Sequence, residues 1–248
     1  MPIFLCYEER GSQREGGAII LKGQGVVKTF LYSMARWLYK NAYKRIMPDG
    51  TAETKALLVN CTSILDIGCG ETSPLRYLPT DGKFKVGVDV YEAAKNRYHD
   101  EYQLLNALDI EVRFGSKSFD CVCAFDIVEH LPKNESAALI EAMERVARKV
   151  VIISTPNGYV PWAPSGGNPY QAHRSGWTVE EMRARDYIVL GTCGWRRLRN
   201  RYNWLGPFHD GRFFHLQNFV FDITQILVKK RPELAYQLLC FKALCPEA

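Results

Sequence analysis

Ser63-Ile-Leu-Asp-Ile-Gly-Cys-Gly-Glu-Thr-Ser-Pro74 contains an apolar strand, one carboxylate and a glycine turn, in that order. Its first residues have the branched, apolar character of a short buried strand. Gly68 and Gly70 lack a Cβ, so the backbone can turn tightly there and approach a ligand closely. A strand that enters such a turn, with a helix behind it, holds nucleotide-like cofactors in open α/β sheets. The glycines are a weak signal alone, and Asp66 before the turn strengthens it.

Four further segments follow in the order expected for successive strands and their exits. Lys85-Val-Gly-Val-Asp89 ends in an acid 21 positions after Gly68. That separation is close to the roughly 20 residues expected for a carboxylate that binds ribose hydroxyls. The other three segments are Ala107-Leu-Asp-Ile110, Ser118-Phe-Asp-Cys-Val-Cys-Ala-Phe-Asp-Ile-Val-Glu-His-Leu-Pro132 and Val150-Val-Ile-Ile-Ser-Thr-Pro-Asn157.

Together these segments resemble the class I S-adenosylmethionine-dependent methyltransferases across about residues 63 to 157. The stretch from Asp66 to Gly70 resembles their first motif, the 118–132 segment their fourth strand with its D-x-x-E-H-L exit, and the 150–157 segment their fifth strand. The resemblance implies an α/β, Rossmann-like, doubly wound sheet of seven strands in the order 3-2-1-4-5-7-6. It also implies an antiparallel last strand and helices on both faces.

The resemblance further implies that S-adenosylmethionine is the cofactor and S-adenosylhomocysteine the product. It assigns the ribose-binding acid to Asp89 and the acid near the adenine amino group to Asp109. The residues expected to bind the cofactor are Asp66, Gly68, Cys69, Gly70, Asp89, Val90, Asp109, Ile110 and Phe125.

The chemistry of the first turn favours this cofactor over a dinucleotide. A pyrophosphate is bound at a helix N-terminus, where an acid in the turn is unfavourable. S-adenosylmethionine carries a sulfonium and an ammonium group, so a carboxylate at Asp66 helps. Asp66 either neutralises the ammonium, directly or through water, or braces the turn by accepting backbone N–H groups. Ser73 stands where a dinucleotide fingerprint has a third glycine. This makes the alternative of an NAD(P)-dependent Rossmann oxidoreductase less favoured.

Bulk composition is that of an ordinary globular enzyme. The 248 residues are 47% hydrophobic and 24% charged, with a formal net charge of +5. This mild charge does not require a nucleic-acid partner, and none is expected. The eight cysteines fit no zinc template, so no metal is expected. A reduced, cytoplasmic protein without a signal peptide or membrane span is the simplest interpretation.

The chain divides into three regions by pattern. Residues 1–50 are expected to form an N-terminal extension with an amphipathic helix at about 26–47, and residues 51–248 the methyltransferase domain. A lid-like insert is expected at about 199–232, between the last two strands. Its apolar helix at 213–228 is either a packed lid or a roof over an apolar acceptor that touches a membrane peripherally.

The acceptor site is the least defined part. A general base serves a hydroxyl acceptor, and the candidates are His173 and Asp126, with His130 and His209 less favoured. We expect a small-molecule or lipid-like acceptor and O-methylation. The alternatives are the oxidoreductase and a catalytically inactive cofactor-binding regulator, and the sequence does not indicate an oligomeric state.

Overall fold

The computed structural model describes residues 51–71, 73–92, 98–163, 168–199 and 224–244. The predicted N-terminal extension with its helix at 26–47, most of the predicted insert, and His209 lie outside these residues. The predicted domain limits therefore stay predictions.

Seven strands form one sheet in the order β3-β2-β1-β4-β5-β7-β6. The pairs among β1 to β5 are parallel, whereas β7 runs antiparallel to both β5 and β6. This confirms the predicted order and the antiparallel last strand. The strands are β1 Ser63–Ile67, β2 Phe84–Asp89, β3 Glu101–Leu104, β4 Phe119–Phe125, β5 Ala147–Pro156, β6 Ile188–Trp195 and β7 Ala235–Ala243.

The central strands are buried because both faces of the parallel sheet are covered. All seven residues of β4 are buried. Successive side chains of a strand point to opposite faces, and β1 shows the result. Leu65 and Ile67 pack into the larger core cluster, while Ile64 packs into a second cluster on the other face. The two clusters hold the sheet in a fixed position, so its strand ends are a rigid support.

The helices in the described residues connect and cover these strands. The longest, α3, presents a buried face that includes Leu139, Ile140 and Met143, and passes directly into β5. A capping box is present at α4, where Thr178 and Glu181 bond each other's backbone N–H groups. The helices are α1 Thr51–Leu58, α2 Ile110–Phe114, α3 Lys133–Val146, α4 Val179–Arg183, α5 Arg196–Arg199 and α6 224–230.

Helix α6 is the described end of the predicted insert, and it lies between β6 and β7 as expected. Gln225 is buried and fixes the helix to β6, accepting from Gly194 N at 2.9 Å and donating to Gly191 O at 2.8 Å. A Cβ at Gly191 would lie 2.2 Å from Val228 O, so glycine permits this close approach. A 3-10 turn that begins at Pro232 follows.

Two further sequence expectations concern membrane spans and cysteines. Within the described residues, no helix is both long and apolar enough to cross a membrane. Cys61, Cys69, Cys121, Cys123 and Cys240 are buried free thiols. In contrast, Cys193 is disulfide-bonded, so the expectation of a fully reduced chain is wrong for this residue.

Candidate active site

The predicted site residues gather where the parallel strands end. Strand β1 pairs with β2 on one side and with β4 on the other. The chain order therefore reverses between β1 and β4, and ligands of open α/β sheets bind in the crevice at such a point. Gly68, Asp89 and Asp126 each lie at or just past the end of one of these three strands.

The glycine turn after β1 depends on the missing side chains. Gly68 and Gly70 have φ values of +63° and +57°, a region that strains residues with a Cβ. Gly68 N donates to Val88 O at 2.8 Å, which joins the turn to β2. A Cβ on Gly68 would lie 1.9 Å from Ile127 Cδ1, because Ile127 packs across the turn from the β4 exit. The turn thus links both halves of the crevice.

Asp66 braces this turn from inside. Its side chain is 1% exposed, and its Oδ2 accepts from Ser73 Oγ at 2.5 Å and from His99 Nε2 at 2.9 Å. The Cys123 thiol donates to Oδ1 at 3.5 Å. Of the two roles that the sequence left open, the brace is the nearer, but its donors are side chains and not the expected backbone N–H groups. Sequence reasoning missed His99, which lies 33 residues away in a loop that carries no motif.

Asp89, the predicted ribose-binding carboxylate, can accept more hydrogen bonds than it does. Its Oδ2 accepts from Gly70 N at 3.1 Å and its Oδ1 from Tyr91 N at 2.9 Å. Each carboxylate oxygen can accept a second bond, and the side chain is only partly buried. Its neighbour Val90 is 37% exposed, which leaves an apolar side chain beside the acid. Exposed acceptors beside a tight glycine turn fit the diol and ammonium donors of S-adenosylmethionine.

Of the other predicted cofactor residues, some lie in the core and one lies on the surface. Cys69 is buried, and this burial raises the pKa of its thiol. Ile110 has no exposed surface, and Phe125 is 7% exposed. Asp109 lies on the surface at the start of α2, where its side chain makes no capping bond.

Asn106 is a polar residue that sequence reasoning did not select. It follows β3 by two positions, nearer the strand ends than Asp109, and its Oδ1 accepts from Leu108 N at 3.0 Å. Its position just after the third strand could have identified it. However, β3 is short and has no buried residue, so the end of that strand was hard to locate from the sequence.

Asp126 lies past β4 in a strained backbone conformation, with φ of +56°. Its Oδ1 accepts from Ser154 Oγ at 3.2 Å and from Gln237 Nε2. Gln237 Nε2 also donates to Ser154 Oγ at 2.9 Å. A left-handed conformation costs a non-glycine residue about 1–3 kcal/mol, and such residues cluster at functional sites. Strands β5 and β7 therefore hold Asp126 in place, and Gln237 is a second polar residue that sequence reasoning missed.

Glu129 lies beneath this exit, almost completely buried. Its Oε2 accepts from Thr155 Oγ1 at 3.0 Å, whereas its Oε1 is buried without a hydrogen-bond partner. Burial, and secondarily the charge of Asp126, raises the pKa of the Glu129 carboxyl well above its ordinary value. The Glu129 carbonyl accepts from Arg174 N at 2.8 Å, which draws the segment after β5 over the β4 exit.

His130 and His173 face each other above Glu129. Their ring centroids are 4.8 Å apart in an edge-to-face arrangement. His130 Nδ1 bonds Ala172 O at 3.2 Å, and His173 Nδ1 bonds Val160 O at 2.7 Å. Burial lowers the pKa of His130 to about 4, and burial also lowers the pKa of His173. Both imidazoles are therefore neutral at neutral pH. The structure brings His173 close to His130, which sequence reasoning had considered structural.

Comparison with known families identifies the part of the chain that carries this site. Residues 65–153 match the family model described as "Methyltransferase domain". This match spans β1 to β5 and includes the glycine turn, Asp89 and the β4 exit. Comparison with curated protein sequences gives no match.

Solved structures with the same architecture include several methyltransferases. A SAM-dependent methyltransferase from Archaeoglobus fulgidus is 14% identical, with a TM-score of 0.51, and the alignment covers 86% of this chain and 99% of that one. The 1,6-didemethyltoxoflavin-N1-methyltransferase of Burkholderia thailandensis is 15% identical, with 88% and 84% covered and a TM-score of 0.45. Phosphoethanolamine N-methyltransferase 2 of Haemonchus contortus is 16% identical, with 86% and 57% covered and a TM-score of 0.46. At this identity, the likeness to the Archaeoglobus fulgidus structure is one of fold.

Proposed function

We propose that this chain, whose residues 65–153 match a methyltransferase domain model, is a class I S-adenosylmethionine-dependent methyltransferase that methylates an oxygen atom of a small-molecule or lipid-like acceptor. The observation that carries the proposal is the meeting of two groups at one crevice. The glycine turn and Asp89 lie on its β1–β2 side, and Asp126 and His173 belong to its β4–β5 side.

The residues that would hold the cofactor each supply a matching group. Asp89 has oxygen lone pairs for the ribose hydroxyls, and Gly68 and Gly70 let the backbone approach the amino-acid end. Val90 offers an apolar surface beside the adenine, and Asn106 or Asp109 a polar group at the end of β3. When bound, S-adenosylmethionine supplies a methyl group activated by its sulfonium.

The residues of the acceptor side would align the nucleophile and take its proton. Because Val160 O can only accept, His173 Nδ1 carries the hydrogen of that bond and Nε2 presents a lone pair. A neutral imidazole in this tautomer is suited to accept a hydroxyl proton, an effect of typically 10²–10⁴-fold. Asp126 would orient the acceptor, since its strained backbone and bonds to Ser154 and Gln237 fix its direction. Positioning of the two reactants supplies several kcal/mol more.

A screen of acceptors with radiolabelled methyl donor tests the proposal. Phenols, sugars, quinones and lipids with free hydroxyls form one arm, and matched amines form the other. Label transferred to a hydroxyl compound supports O-methylation, and label transferred only to amines contradicts it. Binding of S-adenosylmethionine without any transfer across both arms would favour the inactive regulator.

The variant His173→Ala tests the acceptor side separately. We expect the affinity for S-adenosylmethionine, measured by calorimetry, to stay within about twofold, while turnover falls by at least 10²-fold. A large loss of cofactor affinity in His173→Ala would contradict the assigned role.

Peripheral membrane contact through the insert helix is a further part of the proposal. On α6, Ile226 is 58% and Leu227 46% exposed, next to Lys229 and Lys230. Exposed apolar residues beside lysines suit an anionic bilayer surface. Ile226→Asp should reduce sedimentation of the chain with phosphatidylserine vesicles, and Val112→Asp, at a residue 91% exposed on α2, is the control. Equal sedimentation of both variants and the wild type would contradict the contact.

A further inference from the structure

Three potential metal ligands converge at the β4 exit. One ring nitrogen each from His130 and His173 and one carboxylate oxygen of Glu129 all lie within 4.8 Å of one another. Two of these residues come from the 3-10 turn after β4, and the third from the segment after β5. Main-chain bonds from Arg174 and Ser175 to the Glu129 carbonyl clamp the two segments together. The cluster is thus set by the fold and not by one flexible loop.

Both histidines are in the tautomer that metal ligation requires. Each Nδ1 bonds a backbone carbonyl, of Ala172 and of Val160, and a carbonyl can only accept. The hydrogen of each neutral ring is therefore on Nδ1, and the lone pair is on Nε2. Metal-bound histidines are usually oriented by such a bond from the other ring nitrogen.

Glu129, the third residue of the cluster, has a buried oxygen that lacks a hydrogen-bond partner. Glu129 is 1% exposed, and its Oε1 makes no hydrogen bond, although Oε2 accepts from Thr155 Oγ1 at 3.0 Å. An unsatisfied buried carboxylate oxygen is costly. A cation would satisfy the carboxylate and the two neighbouring imidazoles at once.

We propose that Glu129, His130 and His173 bind a divalent first-row metal ion, with Zn²⁺ as the ion that best matches the ligands. Two imidazole nitrogens and one carboxylate oxygen are a donor set that Zn²⁺ accepts at about 2.0–2.2 Å, with a fourth position open. Binding at that length would bring the three atoms to about 3.4 Å from one another. The sequence expectation of no metal considered only cysteine spacings, which cannot reveal a site made from residues 43 positions apart.

The open position gives the ion a role that rests on the proposed function. Two neutral rings and one carboxylate leave a bound Zn²⁺ with one net positive charge. An acceptor hydroxyl that takes the fourth position would release its proton to solvent water more readily, as metal-bound water does. With the ion bound, His173 would act as a ligand in place of the base role that it has in the metal-free site, and the ion would select acceptors with an oxygen donor.

Metal titration of the full chain tests the site without any turnover. The chain is stripped with a chelator, and Zn²⁺ binding is measured by calorimetry, with Co²⁺ absorption as a report of ligand geometry. We expect the wild type to bind one ion that is lost in Glu129→Gln and His173→Ala, with affinity at least about 100-fold weaker. The control His99→Gln removes an imidazole bonded to Asp66 instead, and should bind Zn²⁺ like the wild type.

The conservative Glu129→Gln variant keeps the test interpretable if His173→Ala unfolds. Its amide oxygen can still accept from Thr155, so the circular dichroism spectrum should match the wild type. Equal Zn²⁺ affinity in the wild type and in folded Glu129→Gln would overturn the proposal, as would no Zn²⁺ binding by the wild type. Calorimetry with S-adenosylmethionine is run in parallel. Zn²⁺ binding without cofactor binding would sink the proposed function and leave the metal site standing.

Discussion

Asp66 and Asp89 lie at the ends of neighbouring strands, yet their carboxylates have different surroundings. Asp66 is enclosed by Ser73, His99 and Cys123. Asp89 is partly exposed and receives only the backbone N–H groups of the turn and of Tyr91. One carboxylate therefore shapes the turn, and the other remains able to accept bonds from a ligand.

The variant Asp89→Ala should weaken S-adenosylmethionine binding by about 10- to 100-fold, because hydrogen bonds to a charged group contribute about 1.5–3 kcal/mol. Calorimetry measures the affinity, and urea unfolding measures the stability, which should change little. Asp66→Ala should show the reverse order of effects, with a clear loss of stability, since it leaves the buried hydroxyl of Ser73 and ring of His99 without their acceptor. An equal loss of stability in both variants would refute this division.

Gly68 and Gly82 form a matched pair for the close approach at the turn. Both have positive φ values, +63° and +73°, so alanine strains the backbone at either position by about 1–2 kcal/mol. At Gly82 nothing lies within 4 Å of the added Cβ, but at Gly68 it would meet Ile127. Gly68→Ala should therefore lose both stability and cofactor affinity, and Gly82→Ala stability alone. Denaturant unfolding with cofactor titration distinguishes them, and unchanged cofactor affinity in Gly68→Ala would contradict the role of the turn.

At the scale of elements, Asp120 ties three strands together at the end of the sheet opposite the site. Its Oδ2 accepts from Thr62 N and Oγ1, both at 2.8 Å, just before β1. Arg148 and Lys149 of β5 contact its two oxygens at 2.9 and 3.2 Å. Burial raises the pKa of Asp120, but the bonds from Thr62 and Arg148 outweigh it and hold that pKa well below the ordinary value. Its charged form is therefore favoured by folding.

Asp120→Asn should cost about 1–3 kcal/mol of unfolding free energy at pH 7. A depressed folded pKa contributes stability above the unfolded value near 3.9, and this contribution is lost as the pH falls through the folded pKa. The difference between variant and wild type should therefore shrink below about pH 5. Asp100→Asn is the control, because Lys85 also lowers the pKa of Asp100, but the Asp100 side chain is 48% exposed. This substitution should therefore lower the free energy of unfolding by only about 0–1 kcal/mol. A difference that persisted unchanged to pH 3 would contradict the assignment.

At the scale of the whole molecule, the sequence predicted what depends on local pattern and order along the chain. Buried strands that end in acids predicted the central sheet, and the resemblance supplied the strand order. Contacts between distant side chains carried no such signal. The bond of His99 to Asp66 and the proximity of Glu129 to His173 depend on how loops cross the strand ends, and loops have no periodicity. Asn106 was missed because β3 is short and exposed, so its register had no buried pattern to fix it.

The crevice joins elements from β1 to β5, so cofactor binding should stabilise the fold as a unit. A ligand that binds only the folded state at 100 times its Kd adds about 2.7 kcal/mol. For a chain of this size that corresponds to an increase in Tm of about 5–11 °C, at about 2–4 °C per kcal/mol. S-adenosylhomocysteine should act similarly, because it keeps the ribose that Asp89 would bind. NAD at the same concentration should produce no shift, since Ser73 and the turn acid Asp66 disfavour a pyrophosphate. A Tm shift with NAD and none with S-adenosylmethionine would contradict the assigned cofactor. The Asp89→Ala variant tests whether the stabilisation arises at this crevice, because it should lose most of the Tm shift that S-adenosylmethionine causes.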